Sequence, residues 1–393
     1  MAQEDAMPWK ASSSMDERVR FIARYNEEDT SLAELCRQFG ISRKTAYKWL
    51  ERYAEEGPEG LRARRSLAHV FPHATPAELV EVLVELRKCY PSWGPKKLRA
   101  KLINQGVERV PAVSTIGELL KKHGLIRPRK RRVYPPRAVT NLVEAKAPND
   151  TWCVDFKGHF PLGDKSRCHP LTISDCATRY LLKCEGLTRT GVEFVMPHFE
   201  RAFREFGLPT RIRSDNGPPF ATASIGGLSE LSVWWIRLGI APERIEPGAP
   251  QQNGRHERMH RTLGAETANP PDANLRDQQR AFDRFRHVYN DERPHEALGQ
   301  KPPAAHYTAS RRHMPDTPKS PEYPDHMKVR KLDSNGRCGF PKQEAKTTFS
   351  KLLANEPIGL DPIDEDTWNV YYGPVLLAQL SLKNKDLQLK KVK

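Results

Sequence analysis

The stretch TWCVDF at residues 151–156 decides the fold, together with the shorter stretch RIRSD at residues 211–215. The first predicts a strand that carries Asp155 inside an apolar run. The second predicts a short strand that ends at Asp215, where Asp-Asn-Gly is typical of a tight turn. A carboxylate is costly to bury in a strand unless it is paired or binds a metal ion. Both strands therefore carry acids that packing alone does not explain.

The surrounding sequence alternates between strand-like and helix-like segments. Further strands are predicted at 166–175, 180–184 and 240–245, and helices at 192–206, 228–238 and 254–267. This alternation predicts a central α/β domain with a mixed sheet. Glu257 lies in the first turn of the last helix, directly after the Gln-Asn-Gly segment that ends at Gly254. It is the third candidate acid.

Three sequence motifs follow one another along the chain: WCVDFKG, SDNGPPF and PQQNGRHERMHRTL. Together they resemble the catalytic core of bacterial insertion-sequence transposases and retroviral integrases, which has a ribonuclease-H-like fold. The stretch YNDERPH at 289–295 resembles the end of the same core. The resemblance implies a DDE transposase whose catalytic, metal-binding residues are Asp155, Asp215 and Glu257. It also implies two divalent ions, Mg²⁺ or Mn²⁺, in each active site.

The chemistry of such a site requires carboxylates. Hard divalent ions prefer oxygen ligands. Two such ions, about 4 Å apart, activate the attacking oxygen and stabilise the leaving oxygen of a phosphoryl transfer. Water as the nucleophile would nick the DNA at the element end, and the freed 3′-hydroxyl would then join that end to target DNA.

Each acid also has a structural interpretation. Asp155 would be a hydrogen-bonded core acid, Asp215 the first residue of an Asx turn, and Glu257 an acid that favours the positive end of a helix dipole. Other acids compete for the same roles. Asp175 rivals Asp155, although its position predicts a strand-end turn with Arg179 as its partner. The competitors of Glu257 are Glu243 and Glu246.

The N-terminal segment predicts three short helices between residues 15 and 56. The string SLAELCRQFGISRKTAYKWLERY has the order helix, glycine-containing turn, helix, and resembles the helix-turn-helix modules of transposases and bacterial regulators. In such modules the second helix enters the major groove. The alternative is a helical bundle with a solvated basic face. The implied DNA-contacting residues are Ser42, Arg43, Lys44, Thr45 and Lys48.

A second helical unit follows, with helices predicted at 77–89, 96–104 and 114–123 and Ser114 as an N-cap. It resembles a second helix-turn-helix, although a helical spacer would have a similar pattern. Two basic groups are predicted to contact DNA phosphates, and solvated positions are the alternative for both. They are Arg127, Arg129, Lys130, Arg131 and Arg132 in the following linker, and Arg255, Arg258 and Arg261 around Glu257.

Composition restricts the class of protein. A net charge of +15 indicates a polyanionic partner, most simply nucleic acid. No apolar run approaches the ~20 residues that span a bilayer, and the N-terminus lacks a signal-peptide pattern. We therefore expect a cytoplasmic bacterial protein, associated with the nucleoid when bound to DNA. The seven cysteines are scattered and predict neither disulfides nor a zinc site.

The sequence thus predicts a multidomain protein with N-terminal all-α units, a central α/β core and a β-rich C-terminal domain. The last resembles the small DNA-binding barrel of integrases, with Asn335-Gly336 as a hairpin turn. We expect double-stranded DNA and further copies of the chain as partners, and neither a membrane nor a small-molecule substrate. The alternatives are an inactive DNA-binding protein and a nuclease of the same fold. The predicted domains are 1–62 and 70–126 (helix-turn-helix), 127–149 (basic, proline-rich linker), 150–310 (catalytic core) and 326–393 (β-rich).

Overall fold

The computed structural model describes residues 14–63, 74–126, 142–246, 250–340, 346–383 and 386–391. The chain divides into two compact units, Met1–Ala74 and Thr75–Lys393. The second predicted helical unit therefore belongs to the same compact unit as the core. The finer domain boundaries stay predictions. No helix in the described ranges is both long and apolar enough to cross a membrane.

The first unit contains three helices around a small apolar core. They are α1 (Ser14–Asn26), α2 (Leu32–Gln38) and α3 (Arg43–Glu56). Ser31 precedes α2 and caps it by accepting a hydrogen bond from the Glu34 N–H at 3.4 Å. Serine is among the residues preferred at this position. Gly40 has a φ of +61°, the left-handed conformation that the turn between α2 and α3 requires. Buried Phe21, Leu35 and Ala46 join the three helices.

The second unit begins with three further helices, α4 (Ala77–Cys89), α5 (Pro95–Asn104) and α6 (Val113–Lys122). Trp93, Leu98 and Ile116 lie at the centre of their core. The predicted N-cap Ser114 is wrong: α6 begins at Val113 after Ala112, and no side chain caps it. Ser114 lies exposed in the first turn instead, because the helix starts one residue earlier than the polar pattern indicates.

The central part of the chain contains a mixed sheet with helices, which confirms the predicted α/β fold class of this domain. Its elements are β1 (Thr151–Phe156), β2 (Phe160–Pro161), β3 (Arg167–Asp175), β4 (Leu181–Leu187), α7 (Val192–Phe206), β5 (Arg211–Ser214), α8 (Glu230–Arg237), β6 (Ala241–Arg244), α9 (Gly254–Thr267) and α10 (Leu275–His287). The sheet order is β4-β3-β1-β5-β6, with short β2 also paired to β3. β3 is antiparallel to β1 and β4, whereas β1, β5 and β6 are parallel.

Helices cover both faces of this sheet. Trp152 and Val154 of β1 are fully buried and pack with residues of α7 and α8, such as Phe199 and Trp235. Because side chains alternate along a strand, Asp155 lies on the opposite face from Trp152 and Val154. That opposite face is covered by α9 and α10, which pack through a separate apolar cluster. The alternation therefore places Asp155 beside the helix that carries Glu257.

The C-terminal part is an antiparallel sheet that packs on the core through Ile225, Val233 and Ile236. Its strands are β7 (Lys328–Lys331), β8 (Arg337–Cys338), β9 (Thr347–Thr348), β10 (Pro357–Pro362), β11 (Thr367–Tyr372), β12 (Val375–Lys383) and β13 (Asp386–Lys391). Five of them pair in the linear order β13-β12-β11-β10-β7, an open sheet over the described residues rather than the expected barrel. The hairpin predicted at Asn335-Gly336 is wrong, because β7 pairs with β10 and β8 pairs with β9.

Candidate active site

Strand register brings the two candidate aspartates together. β1 and β5 are parallel neighbours, with Cys153 paired to Arg213 as the last registered pair. Asp155 and Asp215 each lie two residues beyond that pair, so they leave adjacent strands at the same end and on the same face. Carboxyl ends of parallel strands are where loops place ligands in open α/β sheets. The sheet therefore brings together Asp155 and Asp215, which the family resemblance implied for one site and which the strand patterns alone left as two separate acids.

Asp215 also has the turn geometry that was considered as its structural alternative. Its carboxylate oxygen Oδ1 accepts a hydrogen bond from the Gly217 N–H at 3.2 Å, an Asx turn. Asn216 donates from its side chain to the Ile245 carbonyl at 2.7 Å, which ties the turn to the end of β6. The turn fixes one oxygen of Asp215 and leaves the carboxyl half-buried beside Asp155.

A buried polar network holds α9 against the sheet. The Thr172 hydroxyl on β3 lies 2.7 Å from Nε2 of His256, 2.6 Å from Nε2 of His260 and 3.1 Å from the Asp155 carbonyl oxygen. Ser174 Oγ lies 2.9 Å from Nδ1 of His256. One assignment satisfies every group: Ser174 donates to His256, both Nε2–H groups donate to Thr172, and Thr172 donates to the Asp155 carbonyl.

This network sets the position of Glu257. His256 and His260 are one helical turn apart and both buried, whereas Glu257 is exposed beside them in the first turn of α9. The string RHERMHR contains this i, i+4 histidine pair. From sequence, both histidines were expected to belong to a basic, phosphate-contacting stretch, whereas the structure buries them. Burial lowers the pKa of His256 to about 3 and that of His260 to about 2. Both rings are therefore neutral, as their hydrogen-bond pattern requires.

Electrostatics connect all three acids. Burial, followed by the negative charges of Asp215 and Glu257, raises the pKa of Asp155 to about 7. Burial also raises the pKa of Asp215, against the opposing hydrogen bond from Gly217. Nδ1 of His260 lies 3.8 Å from Asp155, but the neutral ring gives no counter-charge. Carboxylate oxygens are hard donors, and a divalent cation between these acids would offset the repulsion among their negative charges.

The three acids do not yet form a complete set of metal ligands in this structure. Over the described residues, no three His, Cys, Asp or Glu side chains lie close enough together, as they stand, to hold a metal ion. Asp155 and Asp215 are thus the preformed part of the candidate site. Glu257 is the acid of the neighbouring helix, and its charge acts on Asp155.

The competing acids are engaged elsewhere. Asp175 is fully buried, and its carboxylate accepts hydrogen bonds of 2.7 Å from the backbone N–H groups of Asn149 and Thr178 and from the Thr178 hydroxyl. It is a turn residue as expected, but its side-chain partner is Thr178 rather than the predicted Arg179. Glu243 pairs with Arg213, whose Nε lies 2.7 Å from its carboxylate. These contacts give Asp175 and Glu243 structural roles.

The predicted DNA-contacting residues have mixed surroundings. Arg43, Lys44 and Lys48 are exposed on α3. Ser42 and Thr45 contact each other instead, since Ser42 caps the helix by accepting from the Thr45 N–H at 3.1 Å. The linker group Arg127, Arg129, Lys130, Arg131 and Arg132 lies outside the described residues.

The basic residues of α9 divide in a similar way. Arg258 and Arg261 are exposed, while Arg255 donates to the Cys176 carbonyl at 3.1 Å. Lys157 was missed, although it lies in the string WCVDFKG. Its charge acts on both Asp155 and His260, so it is a further cation at the site.

Comparison with known families agrees with this architecture. The family described as Integrase core domain matches residues 145–250, and a second family of the same description matches residues 238–303. A Helix-turn-helix domain family matches residues 17–67, and a Homeodomain-like domain family matches residues 45–120. The fold is thus that of an integrase core domain preceded by helix-turn-helix domains.

Two curated relatives come from insertion elements. The chain is 30% identical over 243 residues to the insertion element IS476 uncharacterized 39.2 kDa protein of Xanthomonas euvesicatoria, covering 60% of this chain and 67% of the relative. It is 27% identical over 254 residues to the insertion element IS407 uncharacterized 31.7 kDa protein of Burkholderia multivorans, covering 62% of this chain and 83% of the relative. The chain belongs to the insertion-element transposases that carry an integrase core.

Solved structures similar to the chain come from retroviruses. One is a chain from the simian T-cell lymphotropic virus intasome in complex with PP2A regulatory subunit B56 gamma, with a TM-score of 0.39, 14% identity, and coverage of 79% of this chain and 95% of that chain. Another is the catalytic core domain of BIV integrase, with a TM-score of 0.31, 19% identity, and coverage of 40% and 93%. The family assignment rests on the sequence matches.

Proposed function

We propose that this chain is a DDE transposase that cleaves the DNA ends of its element and joins them to target DNA. Its catalytic residues would be Asp155, Asp215 and Glu257. The observation that carries the proposal is the parallel register of β1 and β5, which makes neighbours of the two aspartates, with the charge of Glu257 acting on Asp155. Family membership supports DNA transposition in general, and the carboxylates supply the specific chemistry.

The same three acids would hold two divalent ions, Mg²⁺ or Mn²⁺. When bound, such ions supply activation of the attacking oxygen and stabilisation of the leaving oxygen. Asp155 and Asp215 are positioned by the sheet, and Glu257 would complete the ligand set from the neighbouring helix. The network around Thr172 would hold the start of α9 against β3.

Double-stranded DNA would be bound by several parts of the chain. Exposed Arg43, Lys44 and Lys48 on α3 suit the major groove, with Ser42 and Thr45 at the helix start. Phosphate contacts would come from Arg255, Arg258 and Arg261 near the acids and from the linker arginines and lysine at 127–132.

The assembly and its location follow from the reaction. Two element ends must be joined together, so we expect a homo-oligomer on DNA. This activity belongs in the bacterial cytoplasm, on the nucleoid, and requires neither a membrane nor a small-molecule substrate.

The test is strand transfer in vitro with labelled DNA from the flanks of the gene, a plasmid target, and Mg²⁺ or Mn²⁺. Asp155→Asn, Asp215→Asn and Glu257→Gln should abolish joining while DNA binding is kept. Glu246→Gln is the matched control, because Glu246 is an exposed acid close to the same helix.

Each other outcome points to a different function. If Glu257→Gln alone stays active, the third acid is misassigned. If the wild-type chain cleaves DNA but never joins it, the protein is a nuclease of this fold. If it binds element ends without cleaving them under either metal, it is an inactive DNA-binding protein.

A further inference from the structure

A second group of cationic side chains lies apart from the catalytic acids. It consists of Lys97 on α5, Arg179 in the turn between β3 and β4, Arg258 on α9 and Arg293 after α10. These residues come from four separate segments, yet the charges of Arg179, Arg258 and Arg293 all act on the buried hydroxyl of Tyr289. The charge of Arg293 also acts on Lys97, and that of Arg258 on Arg179. The charges of Lys97, Arg293 and Arg179 act in turn on His295, whose ring packs on Tyr289, so the four cations form one cluster around this Tyr289–His295 pair.

The positive charges of this cluster are not balanced by neighbouring acids. Glu266 is the acid that acts on Lys97, but its carboxylate already pairs with Arg293 at 3.0 Å and accepts a hydrogen bond from Ser92. The side chains of Lys97 and Arg179 make no hydrogen bond or ion pair with any described residue. Burial, with the charge of Arg293 as a second cause, lowers the pKa of Lys97 to about 7. Half-buried cations without a partner indicate a site for an anion.

A buried histidine faces the same cluster. His295 is 8% exposed, and its Nε2 atom has no hydrogen-bond partner among the described residues. Its ring packs edge-on against Tyr289, with 4.9 Å between the ring centroids. Burial, followed by the charges of Lys97, Arg293 and Arg179, lowers the pKa of His295 to about 3. An unpaired buried nitrogen beside unpaired cations is an independent sign that a polar ligand is missing.

We propose that Lys97, Arg179 and Arg258 together bind one phosphate of the DNA backbone. This inference rests on the proposed function, since it assumes that DNA lies along α9. Arg179 and Arg258 offer planar guanidinium groups that match phosphate oxygens in pairs, and Lys97 adds a point charge. The predicted set of phosphate-contacting residues included only Arg258. The site would link α5 of the second helix-turn-helix unit to the catalytic core through the DNA itself.

Above neutral pH, Lys97 must take up a proton when phosphate binds at this site. In the free protein Lys97 titrates near pH 7, and a bound phosphate returns its pKa toward the ordinary value of about 10.4. Affinity is therefore highest below pH 7 and falls as the pH rises, by about tenfold between pH 6 and pH 8. The other groups that face Lys97 are Arg293, Glu266 and His295, and the pKa of His295, about 3, lies well below this window.

The test measures binding of a fluorescent duplex by anisotropy in metal-free buffer with EDTA, so that no chemistry occurs. Arg179→Gln should weaken binding about tenfold and reduce the salt slope of log affinity by about 0.9. Arg276→Gln is the matched control, because Arg276 is an exposed arginine on α10 outside the cluster. It loses the same charge and should weaken binding less than about twofold.

Lys97→Arg provides the decisive comparison, because arginine stays charged across this range. It should bind as the wild-type chain does at pH 6 and keep that affinity at pH 8. The proposal is overturned if Arg179→Gln behaves like Arg276→Gln, or if Lys97→Arg keeps the wild-type pH profile.

Free phosphate is the other source of the same chemistry. If inorganic phosphate raises the melting temperature of the wild-type chain while Arg179→Gln binds the duplex normally, the site takes free phosphate and the DNA assignment fails. The outcome is separate from that of the catalytic proposal, because Asp155→Asn, which should not join DNA, should still lose affinity for the duplex between pH 6 and pH 8 through Lys97.

Discussion

Thr172→Val is the substitution that most directly tests how the active site is held together. Valine has nearly the shape of threonine but cannot hydrogen-bond. In the assignment above, the Thr172 hydroxyl accepts from two buried imidazole N–H groups, at 2.7 Å and 2.6 Å, and donates to the Asp155 carbonyl. The substitution therefore leaves two buried ring donors, on His256 and His260, without an acceptor.

The expected cost follows from those two donors. A buried donor without a partner costs ~1–3 kcal/mol. Because the rings belong to one network their costs are not additive, so we expect a loss of ~3 kcal/mol in the free energy of unfolding of the core. Thr172→Ser keeps the hydroxyl and removes only one methyl group, so it should cost ~1 kcal/mol. Thr262→Val is the matched control on α9, where the hydroxyl bonds at 3.2 Å to the Arg258 carbonyl near solvent.

Urea unfolding of the full chain, followed by tryptophan fluorescence, measures these differences. The buried Trp152 and Trp235 report on the core. If Thr172→Val unfolds within ~0.5 kcal/mol of Thr262→Val, the network does not hold α9 and the reasoning fails. If Thr172→Ser is as unstable as Thr172→Val, the methyl group rather than the hydroxyl matters, which also refutes it.

Other expectations concern the helical units and can be checked by the same methods. Trp93→Ala should destabilise the α4–α6 region by ~3–5 kcal/mol, because this fully buried ring stacks on Tyr90 with 4.1 Å between centroids; hydrogen exchange of α5 would measure it. Ser42→Ala should lower the stability of the first unit by ~1 kcal/mol through loss of the helix cap, which thermal unfolding would detect. Burial opposes ionisation of Glu292, but hydrogen bonds from Lys101 and Tyr90 hold its pKa below the usual range. Its stabilising effect should therefore be complete above about pH 4.5 and be lost at lower pH, and Glu292→Gln should remove that acid sensitivity in a pH series of unfolding measurements.

Local sequence was sufficient for the core because its chemistry lies in short strings. The apolar run around Asp155 predicted a strand, and the Asp-Asn-Gly triplet predicted the turn at Asp215. The alternation of strand-like and helix-like segments predicted the mixed sheet. The register between β1 and β5 was not predictable, since it depends on a pairing across about 60 residues of chain. The resemblance, rather than any pattern, placed Glu257 with them.

Long-range contacts explain what the sequence did not predict. Lys97 and His295 are almost 200 residues apart, and no local pattern marks either as a member of a charged cluster. The Asn335-Gly336 pair failed for the opposite reason. A turn does form there, but the strands on each side pair with other partners, which turn chemistry cannot specify.

The contact between the second helical unit and the core has a geometric consequence. Tyr90 and Lys101 both bind Glu292, at 2.5 Å and 2.8 Å, and the two regions lie in one compact unit. If the second helical unit binds DNA as a helix-turn-helix, the DNA sequence that it recognises lies at a fixed distance from the catalytic acids. One inserted base pair turns the DNA by ~34° about its axis and moves it along that axis, so the phosphate at the acids would no longer be aligned with them. The spacing within each element end would then be as strictly selected as its sequence.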